Sequence, residues 1–308
     1  MRILRGVICL GLFTAALLLL LGFQPPLPPV YFNHTTLFVS PATYAALSQS
    51  TFLQNEFSSF SEQTTQREGG KSSYTGIYVR GQHTYLEFMK AGPSFGPQGP
   101  RDVPAGAVSL GMWIDDRNQL PLIRDRLAAE THAAAAITTS KAFRNGQDIT
   151  WFDFISLRSL IDQSILTSTW VMSVYPDFLK QVHPDLKPEE DGTTREKHVG
   201  RRYLPGRLLQ DVTGFTLTVS KAERDGLLQQ FRAYGYAIRS DSERQVAIGP
   251  QIQFVLLLAQ PKAPRTVGIE VSLTHEKGGE RTYRFGEASE LRFQGDRTAT
   301  WTFTFGRN

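Results

Sequence analysis

A short pattern that occurs twice constrains this chain more than anything else in it. Thr84-Tyr85-Leu86-Glu87-Phe88 and Thr150-Trp151-Phe152-Asp153-Phe154 match in residue type at every place, and each closes a run of elements in the same order. The first run opens on residues 31–40 (YFNHTTLFVS), where β-branched and aromatic residues dominate and apolar side chains alternate with polar ones, the signature of a strand. Residues 41–50 start with proline at an early helical position and predict a short helix. Residues 62–68 read as a strand, Gly69-Gly70 as a turn, and 74–80 with 84–89 as a hairpin across Gly81-Gln82. The unit is strand, helix, three strands.

That order recurs. Residues 107–115 predict a strand and 118–129 a helix with Leu120, Leu122, Ile123 and Leu127 along one side; Asn145-Gly146 is a turn ahead of a strand at 149–157. A third copy runs from a strand at 212–220 through a helix at 221–234 to strands near 245–248 and 251–259. No fourth copy is expected, because 267–275, 281–285, 290–293 and 298–305 read as strands with no helical pattern before them. Recurrence at roughly 75 to 110 residues argues for duplicated modules and against a solenoid. The predicted fold class is therefore α+β: repeated βαβββ modules forming cupped mixed β-sheets with flanking helices. The expected divisions are paired modules over 31–158 (31–92 and 105–158), an inserted linker or lid over 159–209, and a third module with extra strands over 210–308.

Residues 1–30 stand apart from this pattern. Arg2 and Arg5 precede an uncharged apolar run from about Val7 to Phe23, and a proline cluster follows, which is the form of a signal peptide or an uncleaved membrane anchor. With the arginines on the cytoplasmic side the folded part lies outside the cytoplasm, either secreted or periplasmic, or held at the membrane by this segment. Residues 24–29 are a stiff spacer. The only cysteine, Cys9, sits in the apolar run, so the folded part has no disulfide and no thiolate metal site. Subtracting the two leader arginines from the formal charge of +4 leaves +2, with no block of like charges, so nucleic acid is not an expected partner.

Alternation places Leu37 and Val39 on one face of the first strand and His34 and Thr36 on the other; in the fourth it separates Leu86 and Phe88 from Tyr85 and Glu87. A histidine and a carboxylate thus leave the packed layer together. Other motifs are weaker. Gly92-Pro93-Ser94-Phe95-Gly96 has the form of a nucleophile elbow but runs into Pro97-Gln98-Gly99-Pro100 where a helix is required. His183-Pro184-Asp185 reads as a turn, and Asn33-His34-Thr35 is a glycosylation sequon placed in mid-strand.

The repeated unit, with His34 on its first strand and Glu87 on its last, resembles the vicinal oxygen chelate (glyoxalase/extradiol dioxygenase-like) superfamily. Tyr283-Arg284-Phe285-Gly286 and Thr298-Ala299-Thr300-Trp301-Thr302-Phe303 further resemble an uncharacterised bacterial glyoxalase-like family. The resemblance implies two modules closed into one cup around a divalent metal (Fe, Mn, Zn or Mg). It places His34 and Glu87 as ligands, Glu87 also as the catalytic group, Ser109 in the His34 place of module two and Asp153 in its Glu87 place. Tyr85, Trp151, Thr36 and Trp113 would line the substrate site. In the third copy the matching places are Gly214 and Val255, which cannot bind a metal. Two functions stay open: a metal-dependent lyase, isomerase or dioxygenase acting on a small vicinal-oxygen metabolite, or a metal-free module of the same fold that binds a small-molecule ligand or serves in interaction.

Overall fold

The computed structural model describes residues 27–96, 99–157, 165–182, 194–241 and 243–306. The apolar leader and His183-Pro184-Asp185 lie outside the described residues. None of the described helices is long and apolar enough to cross a membrane.

Module one consists of β1 (Tyr31–Val39), α1 (Pro41–Ser48), β2 (Ser59–Gln66), β3 (Ser73–Arg80) and β4 (Tyr85–Lys90). Ser40 caps α1 by accepting from the Thr43 N–H, which satisfies one of the donors that a helix start leaves open. A small hairpin, β5 (Gly92–Gly96) and β6 (Gly99–Val103), follows. It puts an antiparallel strand where a nucleophile elbow would need a helix.

Module two has β7 (Val108–Trp113), α2 (Leu120–Thr131), β8 (Ile137–Arg144), β9 (Gln147–Ser156) and β10 (Thr167–Val174). Two short helices, α3 (Pro176–Val182) and α4 (Arg195–Gly200), come next. Module three comprises β11 (Leu209–Val219), α5 (Lys221–Ala233), β12 (Ala237–Ser240), β13 (Arg244–Gly249) and β14 (Ile252–Leu258). The chain ends in β15 (Arg265–Leu273), β16 (Thr282–Arg284), β17 (Ser289–Phe293) and β18 (Thr298–Phe305).

Two eight-stranded sheets result, ordered β2-β3-β4-β1-β7-β10-β9-β8 and β12-β13-β14-β11-β15-β18-β17-β16. The second order repeats the first element for element, which corrects two expectations. A fourth module does exist: β15 to β18 take its four strand places, with a loop where its helix would stand. And β10, the fourth strand of module two, lies within the stretch expected to be an insertion, so the intervening segment begins only after Val174.

In both sheets the first strand carries an irregularity at the same point, between Phe32 and His34 in β1 and between Val212 and Gly214 in β11. A bulge inserts one residue and reverses the facing of those before it. Phe32 can therefore face the core although His34, two places on, faces away from it.

The buried apolar faces of the two sheets share one core with α1, α2 and α5. Phe32 meets Phe215 edge-on at 5.1 Å, Phe88 meets Trp301 at 5.2 Å, and α2 packs against α5. Away from this core the sheets differ. The second shows a shallow polar face, with Thr218 and Thr266 hydroxyls 2.6 Å apart and Thr216 donating to Glu270. The first curls until its two edge strands touch: Arg67 bridges to Ala142, the Lys141 ammonium sits 2.8 Å from Glu68, and the Gly69 N–H donates to Asp148 at 2.7 Å. Curling turns one face of that sheet into a deep cup, and α3 and α4 close one end of it.

Candidate functional site

The cup is a cavity of about 620 Å³ to whose wall all eight strands of the first sheet contribute. A volume of this size suits a small organic molecule. Phe152, Phe154 and Trp170 come from module two, and Tyr74, Tyr78 and Tyr85 from module one. On β3 the residues of one face are Tyr74, Gly76, Tyr78 and Arg80, a period-two series that lays rings on either side of a gap at glycine. Glu87 uses that gap, because a Cβ at Gly76 would sit 3.1 Å from Glu87 Oε1.

Glu87 is buried. Its Oε2 accepts from the Thr36 hydroxyl at 2.7 Å, across the β1–β4 pairing that sets Thr36 opposite Glu87. Oε1 has no hydrogen-bond partner. Burial pushes the carboxyl pKa up, and the Tyr78 and Thr36 hydroxyls with the Arg67 and Arg80 charges only partly oppose this. Burial likewise raises the phenol of Tyr85 well above its ordinary range and pushes Tyr74 up to about 12.

His34 is held as a slab. Its ring stacks on Tyr85 with centroids 4.5 Å apart, takes the edge of Trp170 at 5.5 Å, and lies over the backbone of Gly111. Nδ1 is 2.8 Å from Asn33 Oδ1, and because that oxygen can only accept, the proton is assigned to Nδ1 and Nε2 becomes the acceptor. Desolvation lowers the imidazole pKa to about 3. Asn33 is fully buried, which removes the sequon as a sugar acceptor in the folded chain. A Cβ on Gly111 would fall 2.4 Å from His34 Cε1. Gly111→Ala is therefore expected to push the ring out of its slot and to cost about 1–3 kcal/mol by overpacking. The urea midpoint would show the loss, and an unchanged midpoint would contradict this placement of the ring.

Of the residues singled out in the sequence, His34, Thr36, Tyr85, Glu87, Ser109 and Trp151 line the cavity. Asp153 does not. It accepts from Thr139 at 2.6 Å, from Tyr175 at 3.0 Å and from Arg117 at 3.1 Å, on the face of β9 that carries Ile155 into the core. The reason lies in topology: Asp153 is on the third strand of its module, whereas Glu87 is on the fourth. Trp113 is also displaced from the expected lining. It is fully buried beside Phe178 and Leu179 of α3 in the apolar plug at the closed end, stacked 5.1 Å from His198. Ser109 Oγ accepts the Trp170 Nε1–H at 3.0 Å.

The metal set His34, Glu87, Asp153 and Ser109 is therefore not gathered at one point. Among the described residues no three His, Cys, Asp or Glu side chains are placed to hold a metal ion, so the residues present do not fit a resident metal of that kind. Groups that sequence reasoning missed are Arg67, Arg80, Arg144 and Arg202, all lining the cup. The Tyr-x-Gly-x-Tyr-x-Arg alternation of β3 could have pointed to Arg80; nothing local distinguishes Arg144 or Arg202.

Residues 32–303 match the model of a family described as a family of unknown function (DUF5829). No curated protein matches the chain. Solved structures similar to it include a hypothetical protein from Staphylococcus aureus, 10% identical with a TM-score of 0.46, over 77% of this chain and 94% of that one. Another is a fusion of a xylose isomerase-like TIM barrel with 4-hydroxyphenylpyruvate dioxygenase, 9% identical with a TM-score of 0.41, over 78% of this chain and 34% of that one. A third is a mutant of 4-hydroxymandelate synthase from Streptomyces coelicolor, 15% identical with a TM-score of 0.35, over 75% of this chain and 63% of that one.

Proposed function

Since the chain belongs to this family of unknown function, we propose from its own geometry that it is an extracytoplasmic small-molecule-binding protein of the vicinal oxygen chelate type, with its ligand held in the first cup. The twice-paired βαβββ order supports the superfamily, and the apolar leader supports export or anchoring. The observation that carries the binding role is the cup itself: about 620 Å³, walled by aromatic rings from both modules and covered at one end by α3 and α4. Aromatic walls of this kind take the flat apolar body of a ligand.

A lyase, isomerase or dioxygenase working through a chelated oxygen pair needs a metal held by several side chains. His34 Nε2 and Glu87 Oε1 are two free acceptors on neighbouring strands, and Asp153 is occupied elsewhere. Binding without a resident metal is therefore the better-supported function.

Calorimetric titration with 2-naphthol, a neutral aromatic probe, tests this. Saturable one-to-one binding is expected, weakened about fivefold or more in Trp170→Ala or Phe154→Ala through loss of ring contacts. Metal content equal in the purified protein and in His34→Ala is also expected. Absence of saturable binding, or about one metal per chain that is lost in His34→Ala, would overturn the assignment.

A further inference from the structure

Among the described residues four arginines, Arg67, Arg80, Arg144 and Arg202, line the cup beside Lys141, which Glu68 holds. Several arginines elsewhere meet carboxylates: Arg117 with Asp153, Arg265 with Glu223, Arg284 and Arg292 with Glu290. Arg80, only 5% exposed, instead donates to the Ser61 hydroxyl at 2.7 Å and lies 4.6 Å over the Tyr78 ring. Arg202 donates to Gln63 Oε1 at 3.3 Å. Ser61 and Gln63 are two places apart on one face of β2, so two guanidinium groups are set side by side on neutral supports. Arg144, at the end of β8, lies 5.5 Å over Phe178. Among the described residues none of these three is ion-paired with a carboxylate. Arg67 adds a buried Nε without a hydrogen-bond partner.

The carboxylates nearby are held by other groups. Glu62 accepts from Tyr44 and Ser48, Glu68 holds Lys141, and Asp148 takes the Gly69 N–H. Among the described residues Glu87 is the one carboxyl lining the cavity, and it accepts from the Thr36 hydroxyl and forms no ion pair with an arginine. Burial draws Arg80 down to about 10 and lowers Arg144, and the neighbouring Arg202 charge acts in the same direction on both, so the arginines repel one another. Like charges gathered with no carboxylate ion-paired to them are unfavourable by themselves and become favourable when an anion joins them.

Resting on the small-molecule reading of the cup, we propose that Arg80, Arg144 and Arg202 form an oxyanion subsite, so that the ligand is an aromatic or apolar molecule bearing a carboxylate, sulfonate or phosphate. The planar forks suit bidentate contact with such groups, and the aromatic rings of the same cup take the rest of the molecule. Arg80 and Arg202 supply the pair that grips the anion, and Arg144 approaches from the opposite edge strand.

Titration with 2-naphthol, 2-naphthoate, 2-naphthalenesulfonate and 2-naphthyl phosphate, at one ionic strength, separates the contributions. At least one anion is expected to bind about ten- to a hundredfold tighter than 2-naphthol, and the ranking of the three tells which oxyanion the subsite takes. In Arg202→Gln and in Arg144→Gln the advantage is expected to shrink about tenfold while 2-naphthol binding holds within about threefold; Arg202→Lys should keep part of it. Arg144 is exposed, so its variant carries the test even where a change at Arg80 or Arg202 disturbs folding, which thermal unfolding would reveal. Equal affinity for all four probes, or an advantage intact in both glutamine variants, overturns the subsite alone. No binding of any probe overturns the reading of the cup, and the subsite with it.

Discussion

Acidification is expected to cost the folded protein about 2–3 kcal/mol through His34 by pH 4.5, and His34→Gln to remove that part of the loss. The imidazole has a pKa of 6.5 in the unfolded chain and about 3 where it is buried between Tyr85, Trp170 and Gly111. A depressed folded value means that the unfolded chain takes up the proton first. The His34 contribution is thus fully present above pH 6.5, falls by about 1.4 kcal/mol per pH unit below it, and levels off near pH 3. Glu87 works in the other sense. Its raised pKa stabilises the fold at low pH, relative to the unfolded chain, and that contribution is lost as pH rises through the folded value. Urea unfolding of the protein and of His34→Gln at pH 7.5, 6.0 and 4.5 isolates the histidine, since all other groups are common to both. Parallel declines in the two would sink the claim. Should the variant fail to fold, the ring of His34 can be followed directly by NMR, where no titration is expected down to pH 4.5.

The fate of His34 and Glu87 was legible in the sequence because strand alternation is a local property. Away from a bulge, two residues apart means the same face whatever the strand pairs with, so alternation puts His34 with Thr36 and Tyr85 with Glu87, and all four line the cup. Repetition was legible for the same reason. What local patterns do not carry is which strand lies beside which. Thr150–Phe154 matches Thr84–Phe88 in residue type, yet the first belongs to a third strand and the second to a fourth, and the proposed ligand Asp153 went to Arg117 and Tyr175 as a result. The true fourth strand, β10, is buried on both faces, so Thr-Ser-Thr-Trp-Val-Met-Ser-Val shows no alternation to read. The fourth module lost its helix and with it the only long-period signal that would have announced it. Arg202 reaches Arg80 only because α4 folds back over the cup, held there by the buried Arg195, which donates to the Phe32 carbonyl and Gln251 and lies over Tyr31.

Trp301→Ala is expected to lower stability by about 3–5 kcal/mol, and the manner of the loss tests how the two sheets are joined. Trp301 is fully buried in β18, with its indole N–H donating to Ser289 Oγ at 2.8 Å. Its ring meets Phe285 and Phe303 of its own sheet, each at 5.4 Å, and Phe88 of the other at 5.2 Å. Truncation removes the ring, leaves a cavity at the seam and strips Ser289 of its donor; Trp301→Phe keeps most of the ring contact and is expected to cost about half as much or less. The chain has 4 tryptophans, and the other three, Trp113, Trp151 and Trp170, all stand in the first sheet. In Trp301→Ala, indole fluorescence therefore reports on the first sheet alone, while far-ultraviolet circular dichroism reports on both. A shared core makes the two sheets one cooperative unit, so the fluorescence midpoint in urea is expected to fall together with the dichroism midpoint, although no tryptophan of the first sheet has been touched. If dichroism alone moves and fluorescence keeps the midpoint of the unsubstituted protein, the sheets unfold separately. In that case Phe88 and Trp301 would contribute nothing across the seam, and the cup would owe its stability to the first sheet and its covering helices.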